Sequence, residues 1–88
     1  TNELLDKEHF NAFPNPFDNT LTLQVKDVRA THISLTDIAG KEILRQDVRL
    51  ESGNMDIILA TESLQPGFYL VSLYNGDRRV GLQKLVKE

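Results

Sequence analysis

Apolar and polar residues alternate in short runs along most of this chain. In Thr20–Lys26 the apolar side chains are Leu21, Leu23 and Val25, and the residues between them are polar. A period of two places the apolar side chains on one face of an extended segment, so this run predicts a half-buried β-strand. The predicted strands, in order, are Phe10–Phe13, Thr20–Lys26, Thr31–Asp37, Lys41–Leu50, Asn54–Ala60 and two strands that meet at Asn75-Gly76.

Turn signals separate these strands at intervals of about 8 to 12 residues. In "DIAGKE", Asp37 and Gly40 stand at the first and fourth positions of a type I turn, and Gly40 can adopt the left-handed conformation. The dipeptide Asn75-Gly76 strongly favours the tight primed turn of a β-hairpin. About seven short strands with this spacing and no helix predict an all-β fold, a two-sheet sandwich.

The segment Phe13-Pro14-Asn15-Pro16 interrupts the alternation. Proline fixes its own φ, has no N–H and disfavours the helical region for the residue before it, so Phe13 and Asn15 are expected to be extended. A sheet interior does not tolerate two such residues. The segment therefore predicts a rigid piece of chain at a sheet edge, followed by a turn at Asp18-Asn19.

A second proline precedes a tyrosine in Leu64-Gln65-Pro66-Gly67-Phe68-Tyr69. Pro66-Gly67 can form a type II turn, and Tyr69 then stands at the start of the next strand. This is the arrangement of a tyrosine corner, in which the hydroxyl binds the backbone a few residues upstream, here near Leu64. The alternative is a buried tyrosine with a different partner.

Some apolar side chains fall outside the one-face pattern. Phe10, Phe13 and Phe17 surround the proline segment, where they either seal the core or form a surface on which a sugar or a protein partner stacks. Ile58 lies between two inward-facing residues of its strand and is expected to fill a second contact.

Composition excludes several classes of function. The chain has 88 residues with thirteen acidic and ten basic side chains, a formal net charge of −3 and no cysteine. A single small domain with this charge lacks the basic surface that nucleic-acid binding needs. The absence of cysteine excludes disulfides, thiolate zinc sites and cysteine nucleophiles. We expect no transmembrane segment, because no apolar run approaches the ~20 residues that a spanning helix needs.

The beginning of the chain differs from the rest. Residues 1–8 are mostly polar and are expected to be a linker or tail, with the domain occupying residues 9–88. The segment has no signal peptide pattern and does not begin with methionine, so we expect the chain to be part of a longer protein.

No catalytic or metal-binding pattern stands out. His9 and His32 are far apart and lack acidic residues at metal-ligand spacing, so neither a metal nor another cofactor is expected. The serines lack a nucleophile context, the aspartates lie at turns, and the glycines are dispersed. The sequence therefore predicts a protein that is not an enzyme.

The order of these features resembles a known family, the type A C-terminal sorting domain of proteins exported by the type IX secretion system of the Bacteroidota. Members typically begin with "YPNP" or "FPNP", which is Phe13-Pro14-Asn15-Pro16 here, followed by a strand such as Leu21–Leu23.

The resemblance continues along the chain. A "SLYDxxGxxV" pattern is met by Ser34–Ile43, with Asp37 and Gly40 in place and Thr36 where the family usually has tyrosine or phenylalanine. The remaining matches are "LxxGxYxxxL", met by Leu64, Gly67, Tyr69 and Leu73, and a "KxxVxK"-like end, met by Lys84, Val86 and Lys87.

The resemblance implies a seven-stranded immunoglobulin-like antiparallel β-sandwich that is a non-catalytic secretion signal. It implies a cargo fused before the domain, and partners in the outer-membrane translocon, a shuttle protein and a surface signal peptidase. The cargo would pass through the periplasm and reach the cell surface or the medium. In the family the domain is usually removed by cleavage in the linker, here near Thr1–Phe10, and the cargo is often attached to anionic lipopolysaccharide.

The resemblance also implies which residues a partner recognises. In the last strand we expect Lys84 and Lys87 to form a free, lysine-rich tip that is available to a partner, although lysines also protect sheet edges from aggregation. The rival interpretation is an immunoglobulin-like adhesive or carbohydrate-binding accessory domain. The expected partner-recognition residues are Pro14, Asn15, Pro16, Asp37, Gly40, Gly67, Tyr69, Lys84, Val86 and Lys87.

Overall fold

The computed structural model describes residues 10–88 of the chain. These residues contain seven β-strands and no helix. The linker or tail predicted for residues 1–8 and the domain boundary predicted at residue 9 lie outside the described residues. The strands are β1 (Phe10–Phe13), β2 (Thr20–Lys26), β3 (Ala30–Asp37), β4 (Glu42–Leu50), β5 (Asn54–Ala60), β6 (Gly67–Asn75) and β7 (Arg78–Lys87).

The strands form two antiparallel sheets. One sheet has three strands in the order β1-β2-β5, and the other has four in the order β4-β3-β6-β7. In the letters used for immunoglobulin domains these orders correspond to A-B-E and C′-C-F-G. The predicted immunoglobulin-like sandwich is therefore confirmed.

The core lies between the sheets and is built from the alternating positions of the central strands. Leu21, Leu23 and Val25 of β2 face Ile33 and Leu35 of β3, and all of them are buried. Burial of each such side chain contributes roughly 1.5–3 kcal/mol to stability. The hydrophobic alternation in the sequence thus fixes which face of each sheet turns inward.

The predicted strand boundaries agree with the structure to within one residue where they differ. β3 begins at Ala30 and β4 at Glu42, whereas the sequence predicted Thr31 and Lys41. β4 is the most exposed strand of its sheet because it lies at the edge, and only Leu50 of its residues is buried.

Two expectations about apolar side chains are resolved by burial. Phe10 and Phe17 are buried in the core, while Phe13 is partly exposed, so core sealing accounts for two of the three rings. The expectation that Ile58 fills a second contact is wrong, because its side chain is 66% exposed. β5 has only one covered face, and Ile57 and Leu59 occupy it.

One side chain closes the sandwich along the side where β1 and β7 are adjacent. The Ala12 N–H donates to Gln83 Oε1 at 3.0 Å, and Gln83 Nε2 donates to the Ala12 carbonyl at 2.9 Å. Gln83 thereby satisfies backbone groups at the outer edge of β1 and joins the two sheets.

Candidate functional site

The predicted recognition residues gather at one end of the sandwich. Antiparallel pairing places the beginning of β6 beside the end of β7, with Gly67 opposite Lys87, and the end of β3 beside β6, with Asp37 opposite Tyr69. We call this region the motif end and define it as residues 13–19, 37–41, 61–69 and 84–88. Segments that are distant in sequence therefore form one surface.

The proline segment carries the chain from one sheet to the other. Phe13 pairs with Thr22 in the three-stranded sheet, whereas Phe17 makes a parallel bridge with Lys87 in the four-stranded sheet. The Phe17 N–H donates to the Val86 carbonyl at 2.8 Å, and the Glu88 N–H donates to the Phe17 carbonyl at 3.0 Å. Because proline cannot continue a ladder of hydrogen bonds, Pro14 and Pro16 are suited to this crossing.

The asparagine between the two prolines binds the last strand. Asn15 Oδ1 accepts a hydrogen bond from the Val86 N–H at 3.0 Å, and the contact is exposed to solvent. The Phe13–Pro14 and Asn15–Pro16 peptide bonds are both cis. Asn15 thus protects part of the free edge of β7 with its side chain.

Asp37 and Gly40 form the turn between β3 and β4, as predicted. Asp37 Oδ1 accepts hydrogen bonds from the Ala39 N–H at 2.9 Å and the Lys41 N–H at 3.0 Å. The Gly40 N–H donates to the Asp37 carbonyl at 3.0 Å, and Gly40 has a φ of 90°, which favours glycine. These two residues therefore shape the backbone of the motif end.

The tyrosine corner is confirmed. The Tyr69 hydroxyl donates to the carbonyl of Gln65, the residue next to Leu64, at 2.7 Å. The Tyr69 ring also meets Phe17 edge-on, with centroids 6.1 Å apart. Gly67, at the start of the same strand, has a φ of 148°, within the range that favours glycine.

The prediction that Lys87 belongs to a free, lysine-rich tip is wrong. This residue is only 6% exposed, and its Nζ lies 3.5 Å from Asp18 Oδ1. The reason is strand parity, since Lys87 has the same inward direction as Leu85, and its aliphatic stem packs while the ammonium reaches the rim. Lys84 is exposed as predicted, with its Nζ 4.8 Å from the centroid of the Phe68 ring.

The motif end also contains polar contacts that the sequence did not single out. Thr61 is fully buried, its Oγ1 donates to the Asp18 carbonyl at 2.7 Å, and its N–H donates to the Asn19 carbonyl at 2.9 Å. A threonine just beyond a predicted strand gives no periodic signal for this role. Its partners, Asp18 and Asn19, come directly before β2, and Thr61 comes directly after β5. These contacts therefore form only when β2 and β5 pair.

Open cavities lie on the surface of the described part of the domain. A shallow cavity of about 370 Å³ lies at the motif end beside Tyr69 and Ile43, and larger open cavities of about 550 and 530 Å³ lie beside Thr31. Within residues 10–88 no three side chains of histidine, cysteine, aspartate or glutamate are placed to hold a metal ion. The same residues include no helix long and apolar enough to cross a membrane.

Comparison with known families decides the identity of the domain. The family model described as the secretion system C-terminal sorting domain matches residues 11–88, which include the whole motif end. The chain belongs to this family. No curated protein matches the sequence.

As a sorting domain, the chain is a signal for type IX secretion, as the sequence resemblance implied. The family is non-catalytic, and its signal directs export to the cell surface or into the medium. The rival adhesive or carbohydrate-binding interpretation is not favoured. In addition, a sugar or protein partner cannot stack on Phe17, because that ring is completely buried.

Proposed function

We propose that the type IX machinery recognises the motif end as one folded surface, and that the last residues act as part of this surface and not as an independent tail. One observation carries the proposal. Asn15 and Phe17 hydrogen-bond to the backbone of β7, and Lys87 pairs with Asp18, so the last strand is attached to the proline segment.

The motif residues divide into two groups in this proposal. The residues that are buried or bound within turns maintain the shape of the surface. They include Gly40, Gly67, Tyr69 and Lys87. A partner contacts the accessible residues. These are Pro14, Asn15, Pro16, Lys84 and Val86, with Asp37 at the turn beside them.

The partners and the route complete the proposal. The domain performs no reaction itself and passes through the periplasm with the cargo to which it is fused. An outer-membrane translocon and its shuttle protein bind the motif end, and a surface signal peptidase then cuts before β1. Recognition of a surface that exists only in the folded domain would make export depend on correct folding of the signal.

A reporter fused to residues 1–88 tests the function. It should reach the cell surface or medium in cells with a type IX translocon and remain in the periplasm of otherwise identical cells without one. Equal export from both cells would contradict a type IX signal.

An asparagine pair tests whether the recognised surface includes the proline segment. Asn15→Ala removes the bond to the Val86 N–H, and Asn11→Ala changes an exposed asparagine of β1. We expect reduced export for Asn15→Ala alone, although residues 84–88 are unchanged. If both variants are exported like the parent, the last strand acts without the proline segment.

A further inference from the structure

Exposed large apolar side chains are concentrated near the motif end. Five such side chains are exposed among the described residues. Ile38 at 72% and Phe68 at 50% lie within the motif end, Phe13 begins it, and Ile43 lines its cavity. Of these five described side chains, only that of Ile58 lies elsewhere, on the outer face of the three-stranded sheet. Concentrated apolar exposure of this kind marks interaction surfaces.

Phe68 belongs to an apolar row on the outer face of the four-stranded sheet. Its neighbour Tyr69 is buried, so Phe68 and Leu70 point outward. Across the β6–β7 pair, Phe68 lies opposite Val86 and Leu70 lies opposite Lys84. Three apolar side chains and one lysine therefore share this part of the face.

Ile38 lies in the turn directly after β3 and is exposed. Asp37 is the last residue of β3 and pairs with Tyr69, so Ile38 leaves the sheet beside the position of Phe68. We use the name apolar band for Ile38, Phe68, Leu70 and Val86.

The apolar band is continuous with the contacts of the proline segment. Val86 contributes its side chain to the band and its N–H to Asn15. The band thus lies directly beside the accessible motif residues Asn15 and Lys84. A partner that covers the outer end of β7 would meet both groups.

Lys84 gives the band a positive border. Its ammonium lies over the Phe68 ring, and no carboxylate of the described residues pairs with it. A cation beside an aromatic ring fits the common anatomy of a protein interface, an apolar centre with a charged rim. It favours a partner surface that presents a carboxylate at the edge of an apolar patch.

We infer that the apolar band is the docking face for a protein component of the export machinery whose surface combines apolar side chains with a carboxylate that meets Lys84. This inference rests on the proposed function and names the face that the machinery covers. A second copy of the chain fits less well, because a twofold contact of this face with itself would bring the two Lys84 ammonium groups to the same interface.

Matched serine substitutions test the inference in a reporter fused to residues 1–88. Ile38→Ser and Phe68→Ser remove exposed apolar area from the band, and Ile58→Ser removes a similar area from the other sheet. Loss of one interface anchor corresponds to about a tenfold change in binding. We expect about tenfold lower export for the two band variants and near-parental export for Ile58→Ser. The melting temperature should be unchanged for Ile38→Ser, whose side chain is the more exposed of the two.

The outcomes separate this inference from the proposed function. If removal of residues 10–88 abolishes export but the two band variants are exported normally, the sorting function stands and the docking face is wrong. Equal loss in Ile58→Ser would also overturn the inference, since the effect would not be confined to the band. Sedimentation showing a dimer that Phe68→Ser dissociates, with export unchanged, would assign the band to a second copy.

Discussion

Two lysines of β7 have different roles because of the direction in which each points. Lys87 turns inward and pairs with Asp18, whereas Lys84 turns outward and lies over Phe68. Side chains alternate between faces along a strand, so their separation by an odd number of residues places them on opposite faces. Residue type alone therefore does not decide whether a charge contributes to the fold or to recognition.

Charge reversal should distinguish the two lysines in stability. Lys87→Glu places a buried carboxylate beside Asp18, and we expect the free energy of unfolding to fall by more than about 2 kcal/mol. Lys84→Glu changes an exposed side chain and should stay within about 0.5 kcal/mol of the parent. Urea unfolding of both variants measures the difference, and equal stabilities would contradict the burial of Lys87.

The tyrosine corner makes a separate prediction. Tyr69→Phe keeps the ring against Phe17 but leaves the Gln65 carbonyl without its donor, which should cost about 0.5 to 3 kcal/mol of unfolding free energy. Tyr74→Phe is the matched control, because the Tyr74 hydroxyl makes no hydrogen bond among the described residues. Urea unfolding in which Tyr69→Phe loses no more stability than Tyr74→Phe would argue against the corner.

At the scale of elements, β7 is an edge strand whose outer side is occupied by side chains and backbone from β1 and the proline segment. Gln83 binds both backbone groups of Ala12, Asn15 binds the Val86 N–H, and Phe17 bridges to Lys87. Natural sheets avoid open edges because unpaired strands aggregate. Here the protection also holds β1 and the last strand together.

Gln83→Ala should loosen β1 without unfolding the domain. The Ala12 N–H loses its acceptor, and a net hydrogen bond of about 1 kcal/mol corresponds to roughly fivefold faster amide exchange. Gln46→Ala, on exposed β4, is the control and should leave the Ala12 exchange rate unchanged. Unchanged exchange at Ala12 in Gln83→Ala would show that Gln83 does not hold this edge.

The elements that the sequence predicted are those with local signals. The alternation in Thr20–Lys26 and the Asp37 and Gly40 turn depend on neighbouring residues, and both are present in the structure. The contacts of Asn15 with Val86 and of Lys87 with Asp18 join segments far apart in the chain. No local pattern specifies them, because they depend on which strand ends meet when the sheets pack.

At the scale of the whole molecule, the two ends of β7 offer a natural comparison. Lys84 at the motif end lies over Phe68, and Arg79 near the other end lies over Tyr74. Both cations are exposed and belong to the same strand. Lys84 lies within the motif end, whereas Arg79 lies outside it.

The most direct test of recognition at the motif end is the exported fraction of a reporter fused to residues 1–88 that carries either Lys84→Glu or Arg79→Glu. Both changes reverse one exposed charge and alter the net charge equally. We expect Lys84→Glu to leave most of the folded reporter in the periplasm and Arg79→Glu to be exported at the parental rate. Equal export of the two variants, or a greater loss with Arg79→Glu, would contradict the motif end as the recognised surface.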